Sequence, residues 1–312
     1  MVKHIVKHLL SIKDLKKEEI TALLSLAVKI KSNSKKYNKV LQDKSLLMLF
    51  EKPSLRTRVS FEVGMTQLGG HAIYYDIGAS PLGKGKETIE DTAQTACRYV
   101  DIIMARVFEQ ETLERMAKVS RVPVINALSN FSHPCQVLSD LQTILEKKKT
   151  LKIKLAYLGD SNNNVTHSLL FASAIMGFDV SVGCPNSQEF VPQKEVMDFV
   201  NSNAKKSHAN IEITSDAAKA VRDADVVYTD SWMSYHINPE EKGARINALK
   251  PYQVTQALMS HAKPNAIFMH CLPAARGEEV TAQVLDGPQS IVFDQAENRL
   301  HMQKAIIVTL LK

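Results

Sequence analysis

Two arginines, Arg56 and Arg58, follow Pro53 and Ser54 in the stretch EKPSLRTRVSFE. The pair stands where an apolar run ends and a helix-like pattern begins. Helix N-termini present free backbone N–H groups, and guanidinium groups bind phosphate through paired hydrogen bonds. Two interpretations fit the stretch: a cradle for an anion, or the solvated first turn of a surface helix.

Three other polar stretches have residue types that could do chemistry, and each also has a simpler interpretation. In HPCQ (133–136), a histidine precedes a proline that suits the first turn of a helix, so the stretch could be only a capped junction. In GDSNNN (159–164), Gly and Asn tolerate left-handed backbone, so the stretch could be only a turn. In HCLP (270–273), the cysteine could be reactive or could end a buried strand.

The elements that would position these stretches are short apolar runs alternating with helical patterns. This alternation predicts an α/β fold of parallel sheets covered by helices on both faces. The predicted strands are 45–51, 71–76, 101–107, 123–128, 152–160, 179–185, 210–216, 224–232, 266–273 and 290–295.

The length of 312 residues suits two domains, each with an open parallel sheet. A lysine-rich stretch near 147–152 predicts the boundary between them. We therefore predict a first domain over 1–148 and a second over 149–295. An amphipathic C-terminal helix over 296–312 is expected to pack back on the first domain.

Composition argues against several classes of protein. Aromatic residues make up only 6% of the chain and do not alternate with basic ones, which argues against a nucleic-acid partner despite the net charge of +6. The four cysteines are scattered, which argues against a disulfide scaffold or a structural metal site and favours a reducing compartment. With no signal-peptide pattern and no apolar run of about 18 residues, we expect a cytoplasmic protein without a membrane partner.

The polar stretches share one feature, because each follows or ends a predicted strand. In open α/β sheets, ligands bind outside the carboxyl ends of the strands. Six such placements form a constellation: SLRTR (54–58), Arg106, NFSHPCQ (130–136), GDSNNN (159–164), DSWMS (230–234) and HCLP (270–273).

Taken together and in this order, these stretches resemble the aspartate/ornithine carbamoyltransferase family. The resemblance covers nearly the whole chain, from FEKPSLRTRVSFE to AENR. The stretches GDSNNNVTHSLL, DSWMS and HCLPA are similar to the ornithine branch, since an aspartate enzyme would carry His-Pro-Leu-Pro in place of HCLPA. The resemblance implies carbamoyl transfer from carbamoyl phosphate to the side-chain amine of L-ornithine, giving L-citrulline and phosphate. It further implies no cofactor, no metal, and a homotrimer or an assembly of trimers.

The resemblance implies a carbamoyl phosphate site in which arginines and helix-start N–H groups hold the phosphate. Arg106 would contact the phosphate and the carbamoyl oxygen, His133 would donate to that oxygen, and Gln136 would hold the carbamoyl NH2 with nearby backbone carbonyls. The implied residues are Ser54, Leu55, Arg56, Thr57, Arg58, Arg106, His133, Gln136, Cys271, Leu272 and Arg299.

The resemblance also implies where ornithine binds. An alkyl ammonium titrates near a pKa of about 10.4, so the amine must lose a proton before it attacks. Asp230 and Cys271 would lie beside it, and with Arg106 and His133 they make the implied catalytic set. The residues implied to bind ornithine are Asn163, Asn164, Asp230, Ser234 and Tyr235.

Three places depart from the usual ornithine pattern. Leu55 stands where a threonine is common, and Ser234-Tyr235-His236 replaces Ser-Met-Gly in a loop that closes on the amino acid. The stretch SPLGKGKETIEDTA (80–93) looks more like the loop with which aspartate enzymes reach a neighbouring subunit's site. Its candidate residues are Ser80, Lys84 and Lys86, although a solvated loop fits the lysines equally well.

Three other functions remain to be weighed against this one. A carbamoyltransferase for another amine, such as putrescine or a modified ornithine, would use the same carbamoyl site. A nucleotide-dependent oxidoreductase is disfavoured because no G-x-G-x-x-G follows a strand. A non-catalytic relative is disfavoured because every implied phosphate and carbamoyl group is present.

Overall fold

The structure is a computed structural model and describes residues 6–234 and 237–312. It divides into two compact units. The first is Met1–Gln142, described from residue 6, together with Glu297–Lys312. The second is Thr143–Ala296.

The first unit contains a four-stranded parallel sheet with the strand order β2-β1-β3-β4. Its inner strand β3 is buried along its whole length, because helices cover both faces of a parallel sheet. The strands are β1 (Ser45–Phe50), β2 (His71–Asp76), β3 (Ile102–Arg106) and β4 (Val124–Leu128). The helices are α1 (Lys17–Ser32), α2 (Leu55–Gln67), α3 (Ile89–Ala96), α4 (Gln110–Val119) and α5 (Pro134–Lys148), the last of which continues into the second unit.

The second unit contains a five-stranded parallel sheet with the order β7-β6-β5-β8-β9. The strands are β5 (Lys154–Leu158), β6 (Asp179–Gly183), β7 (Ile211–Thr214), β8 (Val226–Thr229) and β9 (Ile267–Met269). The helices are α6 (Asn164–Met176), α7 (Lys194–Ser207), α8 (Ala217–Val221), α9 (Lys242–Leu249), α10 (Gln256–Met259), α11 (Ala282–Leu285) and α12 (Val292–Leu311), which ends in the first unit. These two helix-covered parallel sheets confirm the predicted fold class.

The tenth predicted strand, over 290–295, is wrong. Val292 is the first residue of α12, so the C-terminal helix begins four residues before the predicted start at 296. Only the first part of the run is strand-like: Ser290 forms an isolated bridge with Phe268, whose carbonyl accepts from the Ile291 N–H at 3.1 Å. A short apolar run fits a buried strand and the buried start of a helix equally well, so periodicity could not separate them.

The division between the units lies inside α5, whereas the sequence analysis places it at 148/149. The segment from Glu297 onward belongs to the first unit. Lys31 Nζ donates to Asn298 Oδ1, and Lys304 Nζ donates to Gln67 Oε1, both at 2.8 Å. These bonds tie α12 to α1 and α2.

Each sheet has one place where the strand order reverses. In the first unit it lies between β1 and β3, where Phe50 pairs with Arg106. In the second it lies between β5 and β8, where Leu158 pairs with Thr229. Ligands of open α/β sheets bind at such points, beyond the carboxyl ends of the strands. We therefore expect ligands to bind at these two edges.

Across residues 6–234 and 237–312, no helix combines the length and apolar character needed to cross a membrane.

Candidate functional site

The N-terminus of α2 follows β1 at the switch point of the first unit. Ser54 caps this helix, since its Oγ accepts a hydrogen bond from the Thr57 N–H at 3.2 Å. The Leu55 side chain is 73% exposed, so at this position only the backbone N–H is available to an inward ligand. Arg56 is half-buried and Thr57 is buried. This helix end can therefore present backbone N–H groups and one guanidinium to an anion.

Two buried arginines accompany this helix end within the first unit. Arg106 ends β3, next to β1. Arg299 lies on α12; its Nη2 donates to Thr57 Oγ1 at 3.3 Å and its Nη1 to Gln136 Oε1 at 2.5 Å. The bonds from Arg299 thus join the start of α2 to the first turn of α5.

The pKa of His133 reflects its burial and the positive charges around it. The residue precedes α5 and is buried. Burial lowers the pKa of its imidazole well below the usual 6.5, and nearby positive charges lower the pKa further. A neutral imidazole at pH 7 can donate one hydrogen bond to an oxygen on which negative charge develops. The charges that act on it are, in order, those of Arg299, Arg106, Lys52 and Arg56.

Lys52 is a further cation of this group that sequence reasoning missed. It is buried, its Nζ donates to Asn130 Oδ1 at 2.8 Å, and it lies 4.4 Å from the centre of the Phe108 ring. Burial first, and then the charge of Arg106, lowers the pKa of Lys52 from 10.5 to about 8. The only sequence signal was its position directly before Pro53, because nothing in the local pattern marks a lysine as buried.

Arg58 differs from Arg56 in its exposure and its contacts. The Arg58 side chain is exposed, its Nε donates to Glu62 Oε2 at 3.3 Å, and its guanidinium lies 3.9 Å from the centre of the Tyr74 ring. These contacts hold it along the outside of α2. Its part in phosphate binding stays a prediction.

In the second unit, α6 begins at the switch point, and Asn163 is its N-cap. Oδ1 of Asn163 accepts from the Val165 and Thr166 N–H groups, both at 2.9 Å. Its Nδ2 donates to the Tyr157 hydroxyl at 2.8 Å and to the Asp160 carbonyl at 2.5 Å. Because these bonds engage both ends of the amide, Asn163 positions the helix start. Asn164, the first residue of α6, is half-buried and better placed to meet a ligand.

Asp230 and Cys271 come together in the second unit, as the sequence analysis expects. The Cys271 thiol donates to Asp230 Oδ1 at 2.9 Å, and the same oxygen accepts from the Ser231 N–H at 2.8 Å. Both residues are half-buried, so a ligand can reach them. Thiol and carboxylate thus form a polar pair suited to an amine.

His270 lies close enough to this pair to raise the question of a metal. Potential ligand atoms of Asp230, His270 and Cys271 all lie within 4.8 Å of one another. However, Nδ1 of His270 accepts from the Leu272 N–H at 2.8 Å, and Nε2 lies 3.3 Å from Glu279 Oε1. With Nδ1 bonded and Nε2 facing a buried carboxylate, the ring fits a support for the Cys271–Leu272 backbone better than a metal ligand.

The segment after β8 is held by Arg245, a second residue that sequence reasoning missed. This buried arginine on α9 donates from Nε to the Trp232 carbonyl at 3.2 Å, from Nη2 to Asp160 Oδ2 at 2.5 Å and from Nη1 to Glu189 Oε1 at 2.7 Å. Burial raises the pKa of Asp160 from 3.8 to about 6, against the opposing charge of Arg245. Ser234 is half-buried at the end of this segment, and the predicted Tyr235 lies outside the described residues, as does His236.

In the 80–86 loop, Ser80 makes its side-chain hydrogen bonds to residues close by in the chain. Ser80 is buried; its Oγ donates to the Ile77 carbonyl at 2.6 Å and accepts from the Gly83 N–H at 3.2 Å. Lys84 and Lys86 are exposed. Their predicted role in a neighbouring subunit stays a prediction.

Comparison with known proteins gives full-length matches. Residues 7–146 match the family model described as aspartate/ornithine carbamoyltransferase, carbamoyl-P binding domain, and residues 151–310 match the one described as its Asp/Orn binding domain. An ornithine carbamoyltransferase of Caldicellulosiruptor saccharolyticus is 50% identical over 306 residues, which cover 97% of this chain and 98% of that protein. An anabolic ornithine carbamoyltransferase of Pyrococcus furiosus is 50% identical, covering 96% of this chain and 95% of the other. The crystal structure of ornithine transcarbamoylase from Giardia lamblia superposes with a TM-score of 0.90 at 43% identity, covering 99% of both chains.

Proposed function

Because the chain belongs to the aspartate/ornithine carbamoyltransferase family, we propose a division of its reaction between the residues described above. The chain is an enzyme that transfers the carbamoyl group of carbamoyl phosphate to ornithine, forming citrulline. The observation that carries the proposed roles is the set of four cations acting on His133: Arg299, Arg106, Lys52 and Arg56. Such a set suits a doubly charged phosphate.

The first unit binds carbamoyl phosphate in this proposal. The start of α2, with Ser54, Arg56 and Thr57, holds the phosphate together with Arg106 and Arg299. Neutral His133 donates to the carbamoyl oxygen, where negative charge grows in the tetrahedral intermediate. Gln136 holds the carbamoyl NH2 through its amide oxygen.

The second unit binds ornithine in this proposal. Asn164 takes the carboxylate end, while Asp230 and Ser234 face the α-amino group. The paired Asp230 and Cys271 also orient the side-chain amine and help it lose its proton. Asn163 acts indirectly, by fixing the start of α6.

The chemistry balances without a covalent intermediate. The neutral amine of ornithine attacks the carbamoyl carbon, and the electron pair of the C=O bond moves to the oxygen beside His133. When the carbonyl re-forms, the bond to the phosphate oxygen breaks, the attacking nitrogen gives its extra proton to the departing phosphate, and inorganic phosphate leaves. The surrounding guanidinium groups stabilise the charge on the departing phosphate.

We further propose a homotrimer, or an assembly of trimers, with active sites shared between neighbours. Supporting this, α2 carries an exposed apolar row, Leu55, Val59 and Val63, spaced to lie on one face of the helix. Ile73 and Tyr74 are also exposed on β2, at the edge of the sheet. Exposed apolar side chains grouped on one face of a helix suit contact with another copy of the chain. A cytoplasmic location stays a prediction. The four free thiols suit such a location.

The test is formation of a ureido product by the purified protein from carbamoyl phosphate and one amine at a time. L-Ornithine, putrescine, N-acetylornithine and L-aspartate are compared in parallel. We expect strong preference for L-ornithine. Preference for another amine would keep the carbamoyl phosphate site and contradict the roles given to Asn164 and Ser234. Turnover with none of them would contradict the proposed roles altogether.

A further inference from the structure

The side chain of Gln136 is held from both ends. It is buried on the first turn of α5, its Nε2 donates to Asp140 Oδ1 at 2.9 Å, and its Oε1 accepts from Arg299 Nη1 at 2.5 Å. A carboxylate only accepts hydrogen bonds and a guanidinium only donates them. The two neighbours therefore leave one orientation for the amide, with the nitrogen toward Asp140 and the oxygen toward Arg299.

Asp140 is one helical turn after Gln136 and is fully buried. At this i, i+4 spacing on a helix, the two side chains lie next to each other. A buried carboxylate is costly unless it is hydrogen-bonded, so a helix that needed only stability would do better with an apolar side chain here. Because a carboxylate only accepts, it favours one orientation of Gln136 from the side opposite Arg299, which an apolar or amide side chain would not do.

We propose that Asp140 is a positioning residue for recognition of the carbamoyl amine. It binds the amide nitrogen of Gln136 and so holds that nitrogen away from the substrate. Oε1 is then the atom that can accept from the NH2 group of carbamoyl phosphate. This inference rests on the proposed function, from which it takes the role of Gln136. A reversed amide would place its NH2 against two donors, the guanidinium of Arg299 and the substrate amine, and would leave that amine without an acceptor.

The test compares two ligands that differ only at the amine. Acetyl phosphate has the phosphate and carbonyl of carbamoyl phosphate but a methyl group in place of NH2. In Asp140→Asn, the new side chain has the same shape but can donate or accept, so only Arg299 still favours one orientation of Gln136. We expect the Kd of carbamoyl phosphate to rise about tenfold and that of acetyl phosphate to change by less than about twofold, one hydrogen bond being at stake. Equal weakening of both ligands, or no change in either, would overturn the proposal.

A double-mutant cycle separates this inference from the proposed function. Gln136→Ala should weaken carbamoyl phosphate relative to acetyl phosphate, and adding Asp140→Asn should cause no further loss. Additive losses would overturn the role of Asp140 alone. If Gln136→Ala left the ratio of the two Kd values unchanged, the role of Gln136 would fail, and with it both proposals.

Two further variants guard against a fold defect. Ser139→Ala removes a neighbouring buried hydroxyl whose Oγ donates to the Cys135 carbonyl, so it perturbs α5 without touching the Gln136 amide. It should leave the ratio of the two Kd values unchanged even if the protein melts earlier. If Asp140→Asn does not fold, Asp140→Ser takes its place, because a hydroxyl also both donates and accepts. A ratio unchanged in Asp140→Ser would overturn the proposal.

Discussion

The chemistry of single residues here is decided by their neighbours more than by their type. The sequence places His133 after one predicted strand and Arg106 at the end of another, and their types and order are enough to suggest an anion site. The low pKa of His133 depends on burial and on four charges from three separate parts of the chain. No local pattern contains that information, which is why Lys52 was missed although it stands inside a quoted motif.

The lowered pKa of Lys52 predicts a pH dependence of anion binding. Below a pH of about 8 Lys52 is a cation that attracts the phosphate; above it the residue is neutral, so affinity should fall as the pH rises. Titrating acetyl phosphate from about pH 7 to about pH 9.5 should show this bend in the wild type and not in Lys52→Gln, which should bind about tenfold more weakly at pH 7. Arg56→Gln is the control: weaker throughout, but with the bend intact. A bend that survives in Lys52→Gln would contradict the assignment.

Cys271 should matter for the amine and not for the anion. A serine in its place donates to Asp230 from a shorter bond, which moves the carboxylate that Cys271 now meets at 2.9 Å. We expect Cys271→Ser to raise the KM for L-ornithine about tenfold while the Kd of carbamoyl phosphate changes by less than about twofold. Cys97→Ser, in the first unit, should change neither value. Collapse of carbamoyl phosphate binding with ornithine use retained would show that Cys271 is wrongly placed.

At the scale of elements, the sequence predicts most of the fold because local signals agree with one another. Nine of the ten predicted strands are present, and the helix-like pattern at Arg56 and Arg58 is the first turn of α2. The run 290–295 failed because a few apolar residues fit both a strand and a helix start. The contact that secures α9 could not be predicted at all, since Arg245 reaches partners 85, 56 and 13 residues away in the chain.

The three bonds of Arg245 predict that α9 supports the ornithine half of the reaction. A lysine keeps the charge but cannot serve three acceptors in a planar fork. Arg245→Lys should therefore raise the KM for L-ornithine about tenfold and lower the melting temperature by a few degrees, with carbamoyl phosphate binding unchanged. The exposed Arg222 of the same unit provides the matched control, Arg222→Lys. Equal losses for both substrates would indicate general unfolding and not support of one site.

At the scale of the whole molecule, each sheet has the residues predicted to bind one of the two substrates at its own switch point. Strand order explains this placement, because the turns after β1 and β3 meet at one edge and those after β5 and β8 at another. Alternation along the sequence predicts two sheets, but it does not give the order of strands within them. The sequence could therefore propose a constellation of residues but not which of them share an edge.

Sharing of sites between subunits predicts recovery of activity in mixed assemblies. Arg106→Ala and the double variant Lys84→Ala/Lys86→Ala should each be nearly inactive alone. Dissociated and reassembled together, they should form some sites with every group intact, and ureido product should return. Mixing Arg106→Ala with His133→Ala is the control, because both groups belong to one chain's anion site, and it should recover nothing. An active lysine variant, or no recovery in the first mixture, would contradict sharing.

The first unit is built from two separated pieces of chain, Met1–Gln142 and Glu297–Lys312, and this fixes an order of events during synthesis. Synthesis reaches Ala296, the last residue of the contiguous second unit, before it reaches any residue of the C-terminal piece. The bonds that Asn298, Arg299 and Lys304 make to α1, α2 and α5 form only after translation has passed them. Every residue of the second unit is therefore synthesised before Arg299, and a stop codon at position 297 would keep the whole second unit while removing Arg299 from the anion site.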